Sequence, residues 1–428
     1  MFGTSSNVII TTLGSVIMLG VLSVLFINAV PDPAGSPVIA VAPATDPMFR
    51  LVGVPASSDA EPVEFRARLL GSPSQQTRSA LLAFTGDTLA HSSVVTQARE
   101  NASGTTREYD FAPMFDAVAP YISAADLAIC HLETPLSPDN TDLAGFPTFN
   151  VPREMATGLR DSGYDGCTTA SNHSLDRRPV GVSNTLDVLD QTGLGHSGMA
   201  RDQAEFDEVT LYDANGITVA SLSYSYGFNG FREPTETPWL VNEIDVDEIV
   251  AEANRARDAG AEFVVLSLHW GDEYRHAPSE FQLENAEALV AAADIDLIIG
   301  HHAHVVQPIS VVDGVPVVFG LGNILSNQSE TCCAIGAQDG VVMLVDIHES
   351  FVDGGSVFST SFGYVPTRVD RTDFTIVPVI DAVADAVAGL VELDTVSRDS
   401  YIASRERTAD ALNLFGNEVG IVEVTSAQ

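Results

Sequence analysis

The stretch that most constrains this 428-residue chain is Asp296–Gln307, DLIIGHHAHVVQ. A short apolar run, Ile295–Ile299, ends in Gly300, and His301, His302 and His304 follow within four residues. The run has the length and β-branched content of a buried strand. Gly300 is expected to let the backbone turn sharply where the strand ends. Imidazoles that leave the end of a rigid element close together are what a metal site needs. Three of the chain's ten histidines lie here, which makes a surface loop rich in His by accident the weaker explanation. A metal needs more ligands than this stretch supplies, so the remainder of the chain has to provide them.

Other short apolar runs end in the same way. ALLAFT (80–85) is followed by Gly86-Asp87, and LAIC (127–130) by His131-Leu132-Glu133. GCTTA (166–170) is followed by Ser171-Asn172-His173 and then Asp176. FVVLSL (263–268) leads into His269-Trp270-Gly271-Asp272-Glu273, and VPVVF (315–319) into Gly320-Leu321-Gly322-Asn323. Ligands of open α/β sheets gather outside the carboxyl ends of strands. Taken singly, Gly86-Asp87 is equally a turn, Asn172-His173 a helix cap, His269 a half-buried ring beside Trp270, and Glu133 a surface acid. Their shared placement favours a metal centre. The donor set lacks thiolate and suits Mn, Zn, Fe or Mg, as one ion or as two bridged by a carboxylate.

Between these runs lie helical patterns: Phe111–Ala124, Arg153–Ser162 stopping at Gly163, Pro179–Thr192 stopping at Gly193, Val246–Ala259 and Pro278–Ala293. Val305–Val312 and Val315–Phe319 form a predicted hairpin around Asp313-Gly314. Val341–Ile347 is a predicted strand, Ser356–Val379 is β-rich, and Ser397–Leu414 is helical. The alternation implies an α/β domain with buried sheet. Cys130 and Cys167 are expected as small buried hydrophobes. Adjacent Cys332 and Cys333 allow a vicinal disulfide or a bond elsewhere.

The N-terminus has another character. Val8–Val30 is almost unbroken apolar sequence, and about 20 such residues span a bilayer core. We expect an uncleaved anchor at 1–30, with a cleaved signal peptide as the alternative; either places the bulk of the chain outside the cytoplasm. Residues 31–78 form a Pro/Ala-rich linker, 79–380 the folded domain, and 381–428 a C-terminal helical extension. All 20 cations are Arg, against 58 acidic residues. A net charge of −38 argues against nucleic acid as a partner.

Taken together, Gly86-Asp87, Leu132-Glu133, the Asn172–Asp176 segment, the His269–Tyr274 segment, the Gly300–Pro308 segment and Leu321-Gly322-Asn323 resemble the CapA family. These are poly-γ-glutamate capsule synthesis proteins within the calcineurin-like metallophosphoesterase superfamily. The resemblance runs from about Leu81 to about Val379. It implies a four-layer α/β/β/α sandwich with a divalent metal site at one edge of its two sheets. By similarity, Asp87, Glu133, Asn172, His269, His302 and His304 are the metal-ligand candidates, with His301 an alternative to His302. Asp87 and His173 are the catalytic candidates, His173 as general acid or phosphate contact. Asp176, Glu273, Asn323 and His131 stand behind them: Asp272 and Glu273 to orient His269 or a water, and Asn323 to shape the rim.

The chain departs from the family pattern at His131 and Ser171, where Asn is usual, and at Ala303, where Pro is usual. His131 either adds a ligand or fills the position. The superfamily's Asp-x-His motif is absent, since Thr88 and Leu89 follow Asp87; this weakens one of two metal positions. The implied function is an anchored, extracytoplasmic component of poly-γ-glutamate synthesis or export, working with a membrane-bound synthase complex on an anionic polymer. The alternatives are a metal-dependent hydrolase of a phosphoester substrate and an inactive binding module on the same fold.

Overall fold

The strand Ser79–Leu89 organises the structure. A computed structural model describes residues 77–232, 234–352 and 355–426, with the backbone of two further strands, Val38–Val41 and Leu51–Val54. Ser79–Leu89 pairs antiparallel with Asp339–Val352 on one side and parallel with Leu127–Leu132 on the other. Gly166–Thr168 and Gly195–Ser197 continue that sheet in parallel. Gly355–Val369 extends it the other way. In the second sheet Ile217–Ser225, Phe263–His269, Leu297–His301 and Val315–Val318 run parallel. Antiparallel strands Leu211–Ala214 and Ile309–Val312 close its edges.

Strand side chains alternate between faces, and this alternation makes the layers. Leu82 and Phe84 point at Val219, Phe263, Val265 and Ile299 of the other sheet, forming a core between the two. Ala83, Ala128 and Leu344 point outward, against Val94, Leu159, Val182 and Leu186 of the helices Ser92–Asn101, Glu154–Asp161 and Arg178–Thr192. The second sheet turns Leu222, Val264, Leu266 and Ile298 outward onto Ile249, Ala253 and Leu289, on helices Val246–Asp258 and Glu280–Ala292. The result is helix, sheet, sheet, helix. Truncating a side chain of the middle core, as in Ile299→Ala, costs about 2–5 kcal/mol.

Three local expectations are corrected. The stretch 111–124 is two single turns, Ala112–Phe115 and Ala119–Ile122, each with Pro near its start. Pro120 inside one continuous helix would remove a backbone hydrogen bond and clash with the preceding turn. The strand predicted from Val305 begins only at Ile309, and Val306 makes a single bridge to Leu321. Cys130 and Cys167 are bonded to each other, across paired strand positions. Of the two possibilities open to Cys332 and Cys333, the structure holds the vicinal disulfide.

The C-terminal segment is more than a helical extension. Ala411 and Leu412 of helix Thr395–Leu412 enter the core between the sheets. Strand Val422–Ser426 then joins the large sheet beside Gly363 and Tyr364. Within the expected linker, Val38–Val41 pairs with Leu51–Val54 and with Val422–Ser426. The remainder of the linker before residue 77 and the expected anchor at 1–30 lie outside the described residues. Among those described, no helix is long and apolar enough to cross a membrane.

Candidate metal centre

Strand register assembles the site. Asp87 stands opposite His131, and His131 opposite Thr168, as one row across the ends of three parallel strands. In the facing sheet Ser225, His269 and His301 form a second row. Loops leaving these strands add Glu133, Asn172, His173, His302 and His304. Close packing behind the rows demands glycine: a Cβ on Gly86 would overlap the Gly322 carbonyl, and one on Gly300 the Phe319 carbonyl. Gly300 therefore stays within its strand and serves close approach, not the turn expected for it. The turn falls on His302 and His304, whose φ values are +81° and +53°. Left-handed backbone at bulky residues is costly and concentrates at functional sites.

The side chains converge in the buried interior. Asp87 accepts the His302 backbone N–H at 3.1 Å and lies 3.0 Å from His304 Nδ1 and 3.3 Å from His301 Nδ1. His304 Nε2 is 3.7 Å from Glu133 Oε1, and His269 Nε2 is 3.9 Å from the same oxygen. His269 Nε2 also lies 3.2 Å from Asn172 Oδ1. His302 packs against His269 and Tyr226, with ring centroids 4.7 and 4.5 Å away. His301 instead stacks on His131, 4.0 Å between centroids. The two rivals for one ligand place thus face different neighbours: His301 turns Nδ1 to Asp87, whereas His302 keeps a buried Nδ1 without a hydrogen-bond partner among the described residues.

Electrostatics follow from burial and crowding. Burial holds Glu133 well above the ordinary carboxylate range. Burial also pushes Asp87 up, but the His301 and His304 contacts outweigh it and hold the group well below that range. For His304 burial acts downward, while the Glu133 and Asp87 carboxylates bring it to about 9. His302 is lowered to about 3 by burial, with His304 adding to the effect. Burial likewise keeps His131 and His269 low.

These residues fit a divalent cation. Neither oxygen of Glu133 meets a hydrogen-bond donor among the described residues, although the side chain is 1 % exposed. Buried carboxylates need a partner. Asp87, Glu133 and His304 offer ligand atoms within 4.8 Å of one another; so do Glu273, His302 and His304, and Asp87, His131 and His301. Imidazole, carboxylate and amide oxygen are the donors expected for Zn, Mn or Fe.

The supporting positions partly differ from expectation. Asp176 accepts from His173 Nδ1 at 2.8 Å and from the Phe149 N–H at 2.7 Å, and so fixes the ring. Asn323 is fully buried beneath His304, with Oδ1 3.0 Å from its Nδ1, and does not shape a rim. Glu273 and Asp272 do not orient His269: Gly271, at φ +95°, turns the chain outward, and both acids are exposed. The partner of His269 Nδ1 is His131 Nε2, at 3.0 Å. Leu89, at the Asp-x-His position, is buried on the helix side of its sheet. Sequence reasoning missed Thr168, Tyr226 and His91. His91 and His173 both pack edge-on against Phe149, with centroids 5.4 and 4.7 Å away. A histidine four residues past Asp87 was the available signal.

The bacterial capsule synthesis protein family, PGA_cap, matches residues 81–328, which contain all these side chains. The chain belongs to this family. It is 28 % identical over 227 residues to the PGA biosynthesis protein CapA of Bacillus subtilis, covering 51 % of this chain and 58 % of that one. It is 26 % identical over 226 residues to the capsule biosynthesis protein CapA of Bacillus anthracis, covering 51 % and 54 %. The PGA_cap chain thus spans about half the length of these curated relatives. Among solved structures it resembles the calcineurin-like phosphoesterase YfkN of Bacillus subtilis, with a TM-score of 0.38, 14 % identity, and coverage of 78 % of this chain and 99 % of that one.

Proposed function

We propose that this chain is a membrane-anchored, extracytoplasmic component of poly-γ-glutamate synthesis or export, and that its PGA_cap domain works through a bound divalent cation. Membership of the family supports the polymer. The observation that carries the metal is Glu133, a buried carboxylate with no hydrogen-bond donor among the described residues, facing His269 and His304. The apolar run Val8–Val30 supports the anchor. Two disulfides support an oxidising compartment.

Asp87, Glu133, Asn172, His269, His304 and either His302 or His301 would hold the cation. When bound, a divalent ion supplies Lewis acidity toward a carbonyl or phosphoryl oxygen. The chain's own contribution is positional. Asn323 and Asp87 fix His304, and Asp176 fixes His173 through Nδ1, leaving Nε2 for a proton transfer to or from a substrate. Arg177 is tied to the Phe149 and Thr148 carbonyls, and the Arg178 guanidinium lies 4.1 Å over the Phe231 ring. On a chain of net charge −38, the cation is then the main attraction for a polyanion.

The His173–Asp176 pair favours a second reading, hydrolysis of a phosphoester. Incubating the purified full chain with poly-γ-glutamate, and separately with a generic phosphodiester, in Mn²⁺ and in chelator tests both readings. Metal-dependent binding or shortening of the polymer, lost in His302→Ala, supports the first. Turnover of the diester alone supports the second. Polymer and diester both ignored, with and without metal, would falsify both.

A further inference from the structure

We propose that His131 is a positioning residue: with Thr168 it holds His269 in the tautomer that turns the Nε2 lone pair toward the cation. The inference rests on the metal-centre reading and concerns a position where the family usually carries Asn.

The hydrogen bonds run in one direction. The Thr168 hydroxyl donates to the Cys130 carbonyl at 3.3 Å, so its lone pair is left for His131 Nδ1, at 2.9 Å. His131 Nδ1 then carries the proton, since burial disfavours the doubly protonated ring. Its Nε2 is the acceptor, 3.0 Å from His269 Nδ1. His269 must donate from Nδ1, which bares Nε2. That Nε2 faces Asn172 Oδ1 at 3.2 Å and Glu133 Oε1 at 3.9 Å. The bared Nε2 and Asn172 Oδ1 are both acceptors and repel one another at 3.2 Å, and a cation between them removes the repulsion. Metal-bound imidazoles commonly donate their other N–H to a carboxylate or a carbonyl; here a second imidazole takes that part.

The backbone prepares this chain of contacts. His131 and Thr168 are direct partners across parallel strands. The residues just before them, Cys130 and Cys167, are also partners and are joined by a disulfide. A slip of one residue would break that bond and separate Thr168 from His131 together. The His131 ring is further clamped by stacking on His301, 4.0 Å away at 13°. The opposite proton order, with the Thr168 hydroxyl turned onto His131, would aim His269 Nε2–H at the position of the cation.

The test compares wild-type protein with His131→Leu, His131→Gln and Thr168→Val, each titrated with Mn²⁺ by calorimetry and with Co²⁺ by visible absorption. Gln keeps an acceptor where Nε2 stands, Leu removes it, and Val replaces only the Thr168 hydroxyl. We expect His131→Leu and Thr168→Val to lose about 10–100-fold in affinity, with an altered Co²⁺ spectrum, and His131→Gln to recover most of the loss. Wild-type affinity and spectrum in His131→Leu overturn the relay. Should that variant not fold, unchanged affinity in Thr168→Val overturns it instead. Wild-type protein that binds neither ion overturns the metal-centre reading, an outcome separate from a relay that fails while wild type binds.

Discussion

Two carboxylates in this protein are almost equally buried and have opposite surroundings. Asp339 accepts from Arg368 at 2.6 Å, from Arg407 at 2.7 and 2.9 Å, and from the Ser404 hydroxyl at 2.8 Å. The Glu133 carboxylate meets no hydrogen-bond donor among the described residues. The first has its cations attached to the chain, brought in by helix Thr395–Leu412 and strand Gly355–Val369. The second faces only the His269 and His304 rings, 3.9 and 3.7 Å away, beyond hydrogen-bond reach. A buried carboxylate with its hydrogen bonds made belongs to the architecture, and one without them marks a site that has kept a place for an ion. The contrast separates structure from function without appeal to any relative.

The contrast can be broken in four measurements. The largest effect is expected from Asp339→Ala, which leaves two guanidinium groups without their shared carboxylate: a loss of about 3–5 kcal/mol in urea unfolding, not recovered by Mn²⁺. The next concerns the ion itself. Mn²⁺ at about 100 times its Kd should stabilise wild-type protein by about 2.7 kcal/mol, and Glu133→Gln should show little of that gain. A matching gain in Glu133→Gln would remove Glu133 from the metal centre.

The third measurement omits metal. The folded pKa of Glu133 is raised by burial, so the native state holds a proton that the unfolded chain releases. Stability is then present below about 4.3, the ordinary Glu value, and declines as pH rises through the raised one. Glu133→Gln should flatten this decline and gain about 1–3 kcal/mol at about pH 8, the usual cost of an unsatisfied buried polar group. Equal slopes in the two proteins would count against an unpartnered Glu133.

The smallest effect has the opposite sign. Glu349, paired with Arg78 at 2.6 Å, is held down to about 2 by the Arg78 hydrogen bond. Its contribution is present above about 4.5 and is lost as pH falls through about 2. Glu349→Gln should abolish only this acid limb in a pH series of melting temperatures, leaving the alkaline limb of Glu133 unchanged.

Much of the site was legible in advance because strand ends are visible in sequence. Asp87, His131, His269 and His301 each follow a short apolar run, and apolar runs become buried strands whatever their order in the sheet. The motif order then placed Glu133, Asn172, His173, His302 and His304 near them. The layers were legible only through resemblance, because alternation of strands and helices does not say how many sheets form. The break at Pro120 is written in the chain, although the apolar spacing around it suits a helix.

By itself, then, the sequence determined most of the domain's strands and helices, which strand ends carry acids and imidazoles, and that their chemistry suits a divalent ion. These are local properties, set by periodicity and side-chain type. Tertiary structure alone decided who stands beside whom. Register paired His131 with Thr168 and Cys130 with Cys167. The facing of two sheets brought His269 against His131, and the C-terminal helix carried Arg407 to Asp339. Such pairings join residues up to 138 positions apart. They depend on strand order and on which face packs against which, and no local pattern encodes either.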